Sequence, residues 1–339
     1  MAFTDLGDKT ELAFRRDHHG RRARQRRGRL GRVLRAPGRV RGAGPFPYGR
    51  KDDMTYMLLC YAPGGRPRAN AIVERCAHMT LLGYDRYCDE VVTQTDLLRE
   101  LLRGADLSAA VPTCPDWTLA ALVRHIGGNL RSVETAVRTG ASVDAPDEQV
   151  PDVAGPDDPT ALDAWLAEGA ARFADTLREA GPDAEARVWG FQKSTAFWAR
   201  RATHDLVIHR ADAAGTVGAD YTVAPQLAAD GIDELLELVS DPQVAASSPR
   251  LAELRGPGKS IHLHATDTEA EVAAEWLIEL GADGFTWRRG HDKATVALRG
   301  PLADVLRVFY RRLPADSERV GVLGEAALLD FWLERVSLG

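Results

Sequence analysis

Cysteine is scarce and poorly placed for cross-linking. The four in 339 residues are Cys60, Cys76, Cys88 and Cys114, with no CxxC pair and none after Cys114. That excludes a disulfide framework and a zinc ribbon, so any metal must be held by histidine and carboxylate. Long apolar runs are also missing. No stretch reaches the roughly 18–20 uninterrupted apolar residues needed to cross a bilayer. The longest early candidate, Met54 to Ala62, is short, is broken by Cys60, and lacks a clean small-residue cleavage site after it. These absences give a cytoplasmic expectation, with no membrane partner.

What is present is ordinary globular composition, 45% hydrophobic and 27% charged, at a length that suggests about two domains. The net charge of −6 conceals an asymmetry: an arginine-rich segment up to about Asp53 precedes an acidic remainder. Residues 1–78 carry Arg21, Arg22, Arg24, Arg26, Arg27 and Arg29 among Gly and Pro, with no sustained apolar periodicity, and read as disordered or weakly ordered. Such an arm could serve nucleic acid or anionic lipid. No aromatics interleave its arginines as single-strand binding wants. Translated upstream sequence, with a start at Met79 (or Met54 or Met57), is the favoured expectation, and nucleic acid is not an expected partner.

Organised sequence follows. Tyr87, Val91, Gln94, Leu98 and Leu102 recur at helical steps over Tyr84 to Leu102, and Gly104 ends the pattern. Val111-Pro-Thr-Cys-Pro-Asp-Trp-Thr reads as a turn with Asp116 or Thr118 capping a second helix, whose apolar face carries Leu119, Leu122, Val123 and Ile126 beside His125. A Pro- and Asp-rich loop spans 141–160. Further helices are expected over 161–180, 194–214 (bounded by Gly215) and 224–239, so 79–240 reads as a helical bundle. Residues 241–259, with three prolines, read as a linker. Beyond it come period-two alternation at 260–266 and strand-like runs at 275–289 and 293–299, then helices at 301–312 and 325–336. Residues 260–339 are therefore expected to form a small α+β domain.

The chemistry concentrates in Trp198-Ala-Arg-Arg-Ala-Thr-His-Asp-Leu-Val-Ile-His-Arg-Ala-Asp. Asp205 and His209 stand four apart and share a helix face, whereas His204 points away from His209. They supply two metal ligands, and His125 on the core-directed face of the second helix is the natural third. The same spacing also suits a helix-surface pair plus a hydrogen-bonded core histidine. His262 and His264 lie two apart on one strand face and read as ordinary sheet residues. Cys114, in the turn, reads as a packing residue, while Trp117 and Trp198 are candidates to line a pocket.

Several ordered motifs add to this. Cys114-Pro-Asp-Trp-Thr, Val123-Arg-His-Ile-Gly and His204-Asp-Leu-Val-Ile-His-Arg-Ala-Asp-Ala are followed by Ile261-His-Leu-His-Ala-Thr-Asp, Glu275-Trp-Leu, Val296-Ala-Leu-Arg-Gly-Pro and Gly324-Glu-Ala-Ala-Leu-Leu-Asp. Together they resemble the mycothiol-dependent maleylpyruvate isomerase family from about Met79 to the end. The resemblance implies a DinB-like four-helix bundle followed by a sterol-carrier-like α+β domain. It implies a divalent metal, zinc first, held by His125, Asp205 and His209. It also implies mycothiol as thiol cosubstrate, with the metal-activated thiolate adding to an unsaturated diacid. Asp205 replaces the glutamate of the family pattern. Being one methylene shorter, it requires the metal or helix to shift by roughly 1–1.5 Å. A diacid wants cations, for which Arg210, Arg299, Arg311 and Arg312 are candidates. Alternatives are a metal-activated hydrolase or thiol S-transferase, or a non-catalytic small-ligand or partner-binding protein. A monomer or small homo-oligomer is expected.

Overall fold

The computed structural model describes residues 82–336. The basic arm and the alternative start positions therefore lie outside the described residues. Local signals set the helix ends. Helix α1 (Tyr84–Leu102) stops just before Gly104, whose φ of 76° lies in the left-handed region. Helix α2 (Leu119–Thr139) starts where the Thr118 hydroxyl accepts from the Ala121 amide, and ends on left-handed Gly140. A single turn, α3 (Pro146–Gln149), interrupts the predicted loop. Helix α4 (Pro159–Ala180) has Asp158 as N-cap and proline in its first turn. Helix α5 (Thr195–Val217) has Ser194 as N-cap; it runs through Gly215 and stops at left-handed Gly218. Gly215 was the expected boundary, but one glycine inside a helix weakens it without breaking it.

Helices α1, α2, α4 and α5 pack as a four-helix bundle. The α2–α4 contact is close because Gly127 has no side chain. A Cβ there would lie 2.1 Å from a ring carbon of Trp165. Two hairpins that the sequence reading did not foresee decorate the bundle. The first pairs β1 (Ala110–Val111) with β2 (Cys114–Thr118), where a turn was expected. The second pairs β3 (Glu185–Val188) with β4 (Phe191–Ser194), joined by Trp189-Gly190. Both turn residues have positive φ, 49° and 83°, as a two-residue hairpin turn matching the strand twist demands. Tryptophan there gives no turn signal in sequence.

Helix α6 (Pro225–Ser240) follows, and the expected linker contains a short helix, α7 (Pro242–Ser247), and a 3-10 turn at Leu251–Glu253. The second region is one five-stranded sheet of β5 (Lys259–Ala265), β6 (Glu275–Leu280), β7 (Phe285–Arg289), β8 (Val296–Gly300) and β9 (Gly321–Gly324), in the order β7-β6-β5-β8-β9. Only β5 and β8 run parallel. Helices α8 (Leu302–Phe309) and α9 (Ala326–Arg335) complete it. The fold is thus a helical bundle followed by a small α+β domain. All described residues belong to one compact unit. No helix among them is long and apolar enough to cross a membrane.

Polar contacts join the two parts. Asp233 of α6 accepts from the Trp276 indole (2.7 Å) and pairs with Arg289 (2.7 Å), and the Tyr310 hydroxyl donates to Gly231 O (3.2 Å). Next to these, α5 and α6 are locked by a buried network. Asp230 accepts from the Tyr87 hydroxyl (2.6 Å), meets His204 Nε2 (2.7 Å) and pairs with Arg200 (2.9 Å), while Arg201 pairs with Glu234 (2.5 Å). Burial alone would raise the Asp230 pKa. The His204 hydrogen bond, His204 and Arg200 outweigh it and hold the carboxyl down to about 2.

Two outcomes are expected. Gly127→Ala should overpack the α2–α4 contact and lower unfolding free energy by about 1–3 kcal/mol in urea denaturation. Asp230→Ala should cost about 3–5 kcal/mol, because Arg200 and His204 lose their shared carboxylate. The depressed Asp230 pKa contributes stability that is complete above its ordinary value of 3.8 and is lost as the pH falls through about 2. The gap between parent and Asp230→Ala should therefore narrow over that window.

Candidate metal centre

Helix α5 buries polar side chains around its whole circumference. Positions 205, 209 and 212 follow helical spacing and share the face toward α2 and β2. From α2, His125 enters the same space. His125 Nε2 lies 3.8 Å from Asp205 Oδ2, and His209 Nε2 lies 3.8 Å from Asp205 Oδ1. The two imidazoles stand nearly perpendicular, with centroids 5.0 Å apart. One ligand atom from each of the three residues falls within 4.8 Å of the others. Trp117, in the strand that leads into α2, covers both rings at 4.6 and 5.7 Å.

Hydrogen bonds orient these groups. His209 Nδ1 lies 2.9 Å from Asp212 Oδ2, and as the donor it leaves the Nε2 lone pair facing Asp205. Asp212 in turn accepts from the Thr113 hydroxyl (2.5 Å) and from Arg312 Nε (3.1 Å). The Asn129 amide nitrogen lies 3.0 Å from His125 Nε2 and donates to Asp205 at 3.5 Å. A donor on Nε2 means that this nitrogen presents its lone pair inward. A narrow pocket of ≈ 30 Å³ opens beside Asp205 and Asn129. Its walls include Ile126, Leu130, Trp189 and Trp198, and it has room for little more than a water molecule.

Charge follows geometry. Burial alone would raise the Asp205 pKa, but His209, His125 and Arg201 outweigh it and keep the carboxylate ionised. Burial alone would lower the His209 pKa; Asp205 and Asp212 raise it above 6.5. Asp212 is held well below the carboxylate range, since Arg312 and His209 overcome its burial.

The donor set fits a divalent ion. Tetrahedral bonds of about 2.0–2.1 Å place ligand atoms roughly 3.3–3.4 Å apart, so each of the two 3.8 Å gaps between Asp205 and an imidazole would close by about half an ångström. Cys114, His209 and Asp212 form a second compact group. There a cation is already present: Arg312 meets both Asp212 and the Cys114 sulfur (3.9 Å). The first group is the better metal site.

Of the four arginines expected as anion contacts, only Arg312 reaches this centre. Arg210 is turned to α1 and the following loop, donating to Gln94 Oε1 (2.9 Å) and Thr222 O (2.5 Å) and stacking on Tyr221. Arg299 is exposed on the sheet face opposite the one that meets α6, as the Cα partner of His264. Arg311 is exposed, with φ at 60°. Cys114, expected to pack, is half-buried against the core at the rim of the centre. Sequence reading missed Asn129, Thr113 and the role of Asp212. Asn129 is four residues after His125 and Asp212 three after His209, so helical spacing alone could have flagged both.

Two family models match the chain. Mycothiol maleylpyruvate isomerase N-terminal domain covers residues 88–214, and the MDMPI C-terminal domain covers 226–331, beginning in α6. The chain belongs to this family. Similar solved structures include crystal structures of the mycothiol-dependent maleylpyruvate isomerase and of a single-site mutant of it. Each is 17% identical, with 72% of this chain and 95% of that chain covered and a TM-score of 0.47. No curated protein matches.

His209→Ala should abolish zinc retention, measured by elemental analysis after dialysis, while His204→Ala, whose ring faces Asp230, should leave it nearly intact. Asp212→Asn should weaken zinc binding about 10–100-fold in a chelator competition. Metal must displace a His209 proton held above pH 6.5, so retention should fall as the pH drops through and just above that value.

Proposed function

We propose that this chain is a metal-dependent, mycothiol-assisted enzyme of the isomerase or thiol-transferase kind, acting on a small unsaturated acid in the cytoplasm. The observation that carries the reading is the convergence of His125, Asp205 and His209 under Trp117 within a family whose name specifies mycothiol and maleylpyruvate. Zinc is the first candidate for the ion, because two imidazoles and one carboxylate leave one tetrahedral position for a ligand. When bound, such an ion supplies Lewis acidity and lowers the pKa of a coordinated thiol.

The chain's own residues set the conditions. Asp212 fixes the His209 ring and its tautomer, and Arg312 neutralises Asp212 so that this carboxylate does not compete for the cation. Trp117 shields the imidazoles on one side. Asn129 must swing its amide away from His125 Nε2 to free that lone pair. Of the four candidate arginines, Arg312 is the one we assign to a substrate carboxylate, because it alone lies beside the three ligands through Asp212. A protein nucleophile is not required, since the added thiol supplies the attacking sulfur.

The test is turnover of maleylpyruvate by zinc-loaded protein with and without mycothiol. Isomerisation that depends on both zinc and mycothiol is expected. Zinc-dependent turnover without thiol would replace this reading by a metal-activated hydrolase or transferase. Failure to retain any ion would leave a non-catalytic binding protein.

A further inference from the structure

The outer face of the sheet carries a second convergence of ligands. His262 and His264 lie two apart on β5 and so share a face. Glu275 on β6 is the cross-strand partner of His264. His291 comes from the turn after β7, brought back by the Gly290 amide bonding to Glu275 O (2.9 Å). All three imidazoles meet one carboxylate oxygen: Glu275 Oε2 lies 2.9 Å from His262 Nε2, 3.0 Å from His264 Nδ1 and 2.5 Å from His291 Nδ1. One ligand atom from each of the four residues lies within 4.8 Å of the rest. The rings meet at 64–87° and do not stack.

We propose that His262, His264, Glu275 and His291 form a second divalent-metal site, separate from the bundle centre. Three N–H donors overfill one carboxylate oxygen, which has two lone pairs. A cation removes the conflict, because each ring then offers a lone pair and the carboxylate its charge. Three nitrogens and one oxygen select zinc, or cobalt and nickel, over magnesium and calcium, which prefer all-oxygen shells. Four protein ligands close a tetrahedral zinc shell, the pattern of structural sites. The bound ion ties the turn after β7 to β5 and β6. Access is from solvent: His262 is buried in the sheet, while the His291 side chain is 71% exposed. In sequence His262 and His264 read as ordinary sheet residues, because His291 comes from the turn after β7, outside their own strand.

The test titrates the full chain with Co(II) alone, followed by visible absorption, and counts zinc by elemental analysis. The parent should bind two equivalents, His209→Ala one, His264→Ala one, and the double variant none. Zinc should raise the melting temperature of His209→Ala protein, and adding His291→Ala should remove that rise. His291 is exposed, so its replacement keeps the test intact should His264→Ala misfold. One equivalent kept by His209→Ala and lost with His291→Ala supports the site even if the bundle centre binds nothing. A His209→Ala chain that binds no ion, or stoichiometry indifferent to both His264→Ala and His291→Ala, leaves a hydrogen-bonded cluster only and overturns the proposal.

Discussion

The structure depends on one helix that has no solvent side along most of its length. Helix α5 carries Arg200, Arg201, His204, Asp205, His209, Arg210 and Asp212, all buried. A buried charge costs several kcal/mol unless it is paired, so these side chains need partners on the surrounding elements or on α5 itself. Arg200, Arg201 and His204 are answered from α6 and Asp212 from Arg312 beyond α8, while Arg210 is held by hydrogen bonds to Gln94 of α1 and to Thr222 O. These pairings fix the rotation of α5. With that rotation fixed, Asp205 and His209 are left facing His125.

The same requirement explains why the second domain matters to a site built in the bundle. Asp212 orients His209, yet its own charge is balanced by an arginine from the C-terminal region. Tyr310, two residues before Arg312, bonds to Gly231 and reaches Glu234 of α6. The sheet domain thus holds α6 and the Asp212–Arg312 pair together, and α6 holds the opposite face of α5. Aspartate at position 205 fits this frame: its shorter side chain leaves a gap of 3.8 Å to each imidazole, which the amide of Asn129 partly fills.

Much of this was legible in sequence because it rests on local periodicity. The long helices follow apolar spacing and their caps, and β5 shows as alternation through Ile261, Leu263 and Ala265. Asp205 and His209 are legible for the same reason, as an i, i+4 pair. What stayed hidden depends on tertiary contacts or on residues used against type. The β1–β2 hairpin runs through Pro115 and Asp116, which suit a turn better than a strand, and a short edge strand tolerates them. The β3–β4 turn uses Trp189 at positive φ. Arg210 looked available for an anion because it follows His209. On a helix buried all round, however, adjacency says nothing about which neighbour a side chain meets.

The rotation of α5 brings Asp205 and His209 to His125 of α2, where we propose that a divalent ion binds. Crystals of zinc-loaded protein, with anomalous data at the zinc edge, test it most directly. A peak about 2.0–2.2 Å from His125 Nε2, from His209 Nε2 and from an Asp205 oxygen, with the Asn129 amide displaced, is the predicted result. Density that shows Asn129 still bonded to His125 and no peak between α2 and α5 at saturating zinc would contradict it.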